Sequence, residues 1–570
     1  MRIKAPLLIL LIILFFSCDK KEDKITEKPI PEVPVVVDEK KPELTVSGFT
    51  EIIETNTDVS ISIVDESTVE TKVMHDGEEI ASSTEKQFEI SINPYSIPVG
   101  STDFIVVSTD AKGNEVSETF SAEIKHLLFT YGHSEQADQN ESKRWLFFNS
   151  LDGKELAVVE PTVGDTKIYT DEIVLEDNIL YSFVNYNVWM WSTDSSNKNL
   201  HVSTYKIPLG GVRPQITYDE YVAPENTLEV KLNGIPFVNG NSDYNAYGYK
   251  YYTSSFNGDE QETVLTITHD ASRPICIRTN RWGGSTPKFD GKKENYKHVF
   301  ITPETGNTSV EIESNQLIQA ENNTKLDIPE QDPGTLFFAR DAYESSNDFI
   351  LNRYTGIYDK DSSNETEMAD YIDLPVFPMF GYYHNNLSYG RDGVYYNASG
   401  PDEDFDVNMP NWVVSAQMTD SSIDLTANNP EVDYYSIQLN KNEYEGNNAK
   451  SVYWYFNAFG EDGSPKILPR LEIPETIKEE IGETYFQTTD DLEITYMTAI
   501  DYAKYSSYNE VIGWFVFNRN RPVGGENKQR QLSFPISTSS GKSSKAGRPI
   551  DLDALHRYGL DEKGQVKKRR

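Results

Sequence analysis

FIVVSTDAKGNEVSETFSAEI, residues 104–124, reads as two strands around a polar tip. After the tip, Val116, Phe120, Ala122 and Ile124 share one parity, and Ser117, Thr119, Ser121 and Glu123 fill the other. That period of two is the signature of a half-buried strand. Asp110, Gly113 and Asn114 between the runs are turn formers. The same pattern extends upstream through LTVSGF (44–49), VSISIVD (59–65), TKVMHDGEEIAS (71–82) and FEISIN (88–93). Asp76-Gly77 is the two-residue hairpin signal in the third of these.

About eighty residues in roughly seven strands is the size of an immunoglobulin-like sandwich, which sets a first domain at 43–126. The hairpin tipped by Asp110, Gly113 and Asn114 resembles the closing strands of bacterial Ig-like domains. Beyond it the chain stays rich in aromatic strands. These include WLFFNS (145–150), ILYSFVNYNVWMWS (179–192), TVLTITHD (263–270), YYSIQLN (434–440), SVYWYFNAFGEDGSPKI (451–467), LEITYMTAI (492–500) and VIGWFVFN (511–518). Pro333-Gly334 marks a boundary, giving β-rich domains at 127–332 and 333–540. IPETIKEEIG (473–482) predicts one short helix, opened by Pro474 and stopped by Gly482. The fold class is mainly β, an Ig-like β-sandwich followed by further sandwiches. A β-propeller over 127–540 is the alternative, since FNSLDGKEL and FNAFGEDGSPK both place a turn after an aromatic strand without a fixed repeat interval.

The N-terminus assigns a compartment. Arg2 and Lys4 precede about ten apolar residues, Leu7 to Phe16, which is signal-peptide length and too short to span a bilayer. The run ends at Ser17-Cys18 and is followed by Asp19, Lys20, Lys21, Glu22 and Asp23. This stretch resembles the lipobox of Bacteroidota lipoproteins, although Phe15 stands where Leu is commoner. The resemblance implies a signal peptide at 1–17 and lipidation of Cys18, palmitate included. It also implies an outer-membrane anchor facing the cell exterior, with several acyl chains holding the protein stably. Residues 18–42 follow as a Pro- and charge-rich tether, and 541–570 form a flexible basic tail.

The net charge of −39 becomes −46 over residues 18–540, once the +2 of the first 17 residues and the +5 of the tail are removed. A body that acidic repels nucleic acid, which is excluded as a partner. With Cys18 lipidated, Cys276 stands alone and no internal disulfide forms. Between Ile275 and Ile277 it reads as a small buried hydrophobe rather than a nucleophile. The sequence holds no GxSxG, HExxH, Walker or GxGxxG motif, which favours a non-catalytic protein.

Two constellations remain. DKDSSNETEMAD places Asp359, Asp361, Ser363, Glu365, Glu367 and Asp370 at the ligand positions of a calcium loop, with Asn364 where Gly normally turns it. Calcium is therefore the one cofactor the residues suggest, with a solvated acidic loop as the plainer reading. GPDEDFDVN adds a vaguer cluster of Asp402, Glu403, Asp404 and Asp406. The aromatic rows are the second constellation. Trp189 and Trp191 share one strand face, as do Tyr247, Tyr249 and Tyr251. Exposed flat rings stack on the apolar faces of sugars, while buried ones would pack a core.

Anchor, Pro-rich spacer, Ig-like domain and aromatic-rich β domains, in that order, resemble the surface glycan-binding lipoproteins of Bacteroidota polysaccharide-uptake systems, including the SusE and SusF type. The resemblance implies capture of a polysaccharide beside an outer-membrane transporter or another envelope protein. A structural or adhesive lipoprotein that binds proteins, and a surface polysaccharide-degrading enzyme, are the alternatives.

Overall fold

The computed structural model describes residues 40–535, except 135–142, 193–194, 216–225, 236, 238–243, 248–253, 260–261, 270–273, 280–290, 305, 351–354, 362–369, 403–404, 428, 447, 460–465, 483, 487–490 and 520–527. The chain is mainly β, as its alternation predicts. The expected signal peptide, Cys18, most of the tether and the basic tail lie outside the described residues. No described helix is long and apolar enough to cross a membrane.

The described residues divide into two compact units. The first draws on Met1–Ser47, Ser60–Ile90 and Phe104–Phe120; the second on Gly48–Val59, Ser91–Asp103 and Ser121–Arg570. The units therefore do not divide at 126. In the first unit, Glu43–Ser47 pairs antiparallel with residues 60–64. Val69–His75 lies between two antiparallel neighbours, Glu78–Ser83 and residues 104–110. Ile61, Ile63, Val69, Val73, Phe104 and Val106 are buried, each from an alternating position. The hairpin turn is the one the sequence announces: Asp76 and Gly77 both take positive φ, 48° and 81°, as a type I′ turn requires. The Asp110 carboxylate closes the other tip by accepting from the backbone N–H groups of Lys112 and Asn114, both at 2.8 Å.

The second unit is built on one twelve-stranded sheet. Its strands run in the order Glu155–Val159, Lys143–Asn149, Asn178–Ser192, Ser195–Pro208, Asn448–Phe459, Tyr434–Glu445, Glu493–Tyr502, Gln529–Pro535, Val394–Pro401, Tyr382–Arg391, Phe337–Tyr343 and Thr355–Asp361. Strands from both sides of Pro333 share this sheet, so the boundary expected there does not separate two domains. A single sheet of this width likewise replaces the propeller alternative, which needs separate radial blades. Neighbouring strands are antiparallel, except that Ser195–Pro208 and Asn448–Phe459 run parallel. That pair joins two long hairpins whose sequences lie some 250 residues apart.

Strand alternation splits the sheet into two faces. Trp145, Phe147, Val184, Leu200, Val202, Val452, Trp454, Phe456, Ile437 and Leu439 face one core. Trp454 is fully buried there, its ring edge-on to Phe147 at 6.1 Å and its Nε1 donating to Thr204 Oγ1 at 2.9 Å. On the opposite face, Leu146, Phe148, Ile179, Tyr181, Tyr205, Ile207, Tyr434, Ile500 and Tyr502 meet a second core. Phe129, Tyr131, Ile168 and the helix Tyr508–Phe515 roof it.

That helix corrects the strand expected at VIGWFVFN. Ser507 caps it by accepting from Glu510 N, and Tyr508, Val511 and Ile512 turn one face into the second core. An apolar run of this length is read as strand or helix with equal ease, and the cap and the roof decide. The helix expected at 473–482 forms as Glu475–Ile481, ended by Gly482 at φ 68°.

Residues 226–317 build a smaller sandwich. Leu228, Val230, Leu232, Leu265 and Ile267 of a four-stranded sheet pack on Ala246, Ile275 and Ile277 of a three-stranded one. Cys276 is fully buried, and burial pushes its thiol up to about 12, so it is the inert packing residue expected.

Candidate functional site

The parallel seam creates a surface that neither hairpin has alone. Three rows cross the four central strands in register. The first is Asn187, Asn199, Ser451 and Asn442; the second is Asn185, His201, Tyr453 and Asn440; the third is Phe183, Ser203, Tyr455 and Gln438. They continue the face that carries Tyr181, Tyr205 and Tyr434 in the second core. Their amide, hydroxyl and imidazole members belong to neither hydrophobic cluster.

A cavity of about 470 Å³ opens on these rows, within the range of small-ligand sites. Asn197, Asn199 and His201 line it from one strand; Ala449, Ser451, Tyr453 and Tyr455 line it from the parallel strand; Tyr444, Gly446 and Asn448 close one end at the hairpin turn. His201 and Tyr453, partners in the parallel register, stack at 5.0 Å with rings 13° apart. Gly446 supplies the turn at φ 62°, and Asn448 Oδ1 accepts from Ser196 N at 2.9 Å, tying the two hairpin ends together.

None of the described lining residues is Asp, Glu, Lys or Arg. Burial holds His201 down to about 4, so its imidazole is neutral at physiological pH and offers one N–H donor and one acceptor. The Tyr455 hydroxyl is buried, with its residue 6% exposed, and has no hydrogen-bond partner in the protein. The Asn185 Oδ1 atom, one row along, is in the same state. A buried polar atom without a partner costs about 1–3 kcal/mol, and a bound polar ligand removes that cost. Ser182 and Thr204, on the other face of the sheet, share a hydrogen bond at 2.8 Å, and Asn457 Nδ2 donates to Thr204 O at 3.1 Å.

The residues singled out from the sequence fall as follows. Trp189 stands opposite Asn197 in the antiparallel register, at the end of the cavity-lining strand. Trp191 is in the same strand, where the register slips between Met190 and Ser192. Tyr247 ends Tyr244–Tyr247 and pairs with Cys276 in a different sheet. Tyr249 and Tyr251 lie outside the described residues.

Asp359 and Asp361 occupy a strand at the edge of the large sheet, in register with Ala339 and Phe337. The start of the proposed calcium loop is therefore an extended ladder rather than a turn. Asp370 is exposed, while Ser363, Glu365 and Glu367 lie outside the described residues. Among the described residues no group of three His, Cys, Asp or Glu side chains is placed to hold a metal ion. Asp402, from the other acidic cluster, is a counterion: it binds the fully buried Arg340 guanidinium through two hydrogen bonds, at 2.8 and 2.5 Å, and accepts from Asn385 Nδ2 at 2.7 Å.

Sequence reasoning missed Asn197, Asn199, His201, Ser451, Tyr453 and Tyr455. The signal was there in part, since NKNLH alternates polar and long side chains and SVYWYF carries aromatics on both faces. Their adjacency was not, because it depends on the parallel seam.

No known family's sequence profile matches the chain, and no curated protein matches it in sequence. Among solved structures, the fibronectin(III)-like modules of Clostridium thermocellum CbhA align at 12% identity and a TM-score of 0.13, over 31% of this chain and 100% of theirs. The surface protein SGBP-B of the Bacteroides ovatus mixed-linkage glucan utilization locus, solved with a mixed-linkage heptasaccharide, aligns at 11% identity and a TM-score of 0.14, over 59% of this chain and 91% of its own. A run of titin domains aligns at 9% identity and a TM-score of 0.14, over 62% and 93%. At such scores none of them carries a function over to this chain.

Proposed function

We propose that this protein is a cell-surface lipoprotein, anchored at the outer membrane through Cys18, that captures a polysaccharide without cleaving it and works beside an envelope transporter. The observation that supports this reading is the cavity on the parallel seam. It combines neutral amides, a stacked His201–Tyr453 pair and a buried Tyr455 hydroxyl without a protein partner. Amides and hydroxyls match the donor and acceptor pattern of sugar hydroxyls, and aromatic rings match the apolar sugar face.

The test is affinity electrophoresis of the unlipidated protein (Cys18→Ser) through gels containing a polysaccharide panel, with sugar release measured in parallel. Retardation without release is the expected result. Release moves the protein to the degrading enzymes, and neither retardation nor release assigns the surface to protein partners. The anchor has its own test: Cys18→Ser is expected to move the protein from the membrane fraction to the soluble one.

A further inference from the structure

We infer that the ligand taken by the seam cavity is an uncharged glycan, and that Tyr455 reads one of its hydroxyl groups. This rests on the polysaccharide-capture reading and narrows it to a chemical class.

Three observations carry the inference. Among the described residues, every polar group that lines the cavity is an amide, a hydroxyl or a histidine, with no Lys or Arg among them. An anionic sugar, carrying a carboxylate or a sulfate, would enter a partly buried site with no counterion. Burying an unpaired carboxylate is far more costly than burying a hydroxyl that finds a partner. The histidine does not supply the missing charge, because burial keeps it neutral at the pH where the protein works. Of the cations on the neighbouring strands, Arg144 shares this face, opposite Asn185, but is not among the described residues that line the cavity. Lys198 and Lys450 alternate with the lining residues Asn197, Asn199, Ala449 and Ser451, so their side chains leave the strands on the other side. Beyond the cavity, the −46 charge of residues 18–540 raises the local potential against any polyanion.

The Tyr455 hydroxyl supplies the positive half of the selection. It is buried and unpartnered on a residue that lines the cavity, in the row next to the His201–Tyr453 stack. Burial pushes its pKa upward, which keeps it a neutral O–H that both donates and accepts. A site that buries such a group discriminates against ligands that leave it unpaired.

The experiment measures binding of the full chain, with Cys18→Ser, to pairs of polymers on the same backbone, one neutral and one carboxymethylated. The pairs are dextran and carboxymethyl-dextran, hydroxyethyl-cellulose and carboxymethyl-cellulose, and soluble starch and carboxymethyl-starch, each at low and at high salt. At least one neutral polymer is expected to bind, with its carboxymethyl partner weaker by about tenfold or more, the value of a single unfavourable interaction of roughly 1.4 kcal/mol. High salt screens the repulsion from the acidic body but not the desolvation of a buried charge, so the preference persists. Tyr455→Phe is expected to weaken the neutral polymer roughly tenfold, the loss of one buried hydrogen bond, while leaving the melting temperature unchanged or slightly higher.

A carboxymethyl polymer that binds as tightly as its neutral partner overturns the uncharged-ligand inference and leaves polysaccharide capture standing. Neutral binding that Tyr455→Phe does not change overturns the role of Tyr455. Failure of every polymer to bind overturns the capture reading, and this inference with it.

Discussion

The two halves of one sheet face differ in a way that separates stability from binding. At one end, Tyr181, Tyr205, Tyr434 and Tyr502 lie beneath the helix Tyr508–Phe515 and the strand His126–His133, in the second core. At the other end, the same strands carry Asn185, Asn187, Asn197, Asn199, His201 and Tyr453 around a cavity. The backbone is continuous between them. Where the chain returns to cover the sheet, the residues are aromatic and interlocked; where it does not, they are amides and a stacked imidazole. Covered surface gains from apolar burial, and under the capture proposal the polar end of the same face takes the ligand.

The comparison breaks first at Tyr181. This residue is 2% exposed and stacks on Phe129 at 5.2 Å. Tyr181→Ala is expected to cost about 3–5 kcal/mol of stability, as for other large core truncations. Ligand affinity measured below the new melting temperature should stay unchanged. A loss below about 1 kcal/mol would show that the roof is not the packed core described.

The roof also carries a titration. Asp433 is 6% exposed, and burial is the largest influence pushing its carboxyl up to about 7. Tyr502 N, donating at 2.6 Å, opposes the rise, while Asp501 and Glu510 add to it. Its ordinary value is 3.8. A carboxyl raised on folding is fully stabilising below the unfolded value, and that stability is lost as pH rises to the folded one. The native protein is therefore expected to lose on the order of 2–4 kcal/mol between about pH 4 and pH 7 from this group. Asp433→Asn, which keeps an acceptor for Tyr502 N, should lack that component. Parallel melting curves across this range check it; identical pH dependence in the two proteins would refute it.

At the uncovered end the expected effects on stability are smaller and the effects on binding larger. His201→Ala and Tyr453→Ala each remove half of one ring stack, worth about 0.5–1.5 kcal/mol beyond area. Both should lower affinity for the captured polymer by roughly tenfold or more, read by titration calorimetry. The double variant should lose little more than either single one, because the two rings act as a unit. The smallest stability effect belongs to Tyr455→Phe, which removes a buried hydroxyl without a partner and should shift stability by under about 1 kcal/mol in either direction.

Local features were legible in the sequence where a local rule governs them. Asp76-Gly77 fixes its turn because both residues accept positive φ. Pro474 and Gly482 bracket the helix Glu475–Ile481. Cys276 is buried because its neighbours on the strand are isoleucines in a two-sided core. One failure is as local. VIGWFVFN is apolar on every side, so periodicity alone does not separate helix from strand, and Ser507 and the second core make it a helix.

The sequence by itself determined that the chain is mainly β, with a first unit of alternating strands, an acidic body and a short apolar run at its start. Period-two alternation, charge and a short apolar run are properties of neighbouring residues, and each is visible in a window of a few tens of residues. Only the tertiary structure decided that strands from 143–208 and from 337–535 share one broad sheet, and that Asn199 and His201 lie beside Ser451 and Tyr453. A parallel pairing between strands 250 residues apart leaves no local pattern. It is selected by the burial of Trp454, Val452, Leu200 and Val202 on the far face, and the ligand cavity is what that packing leaves on the near one.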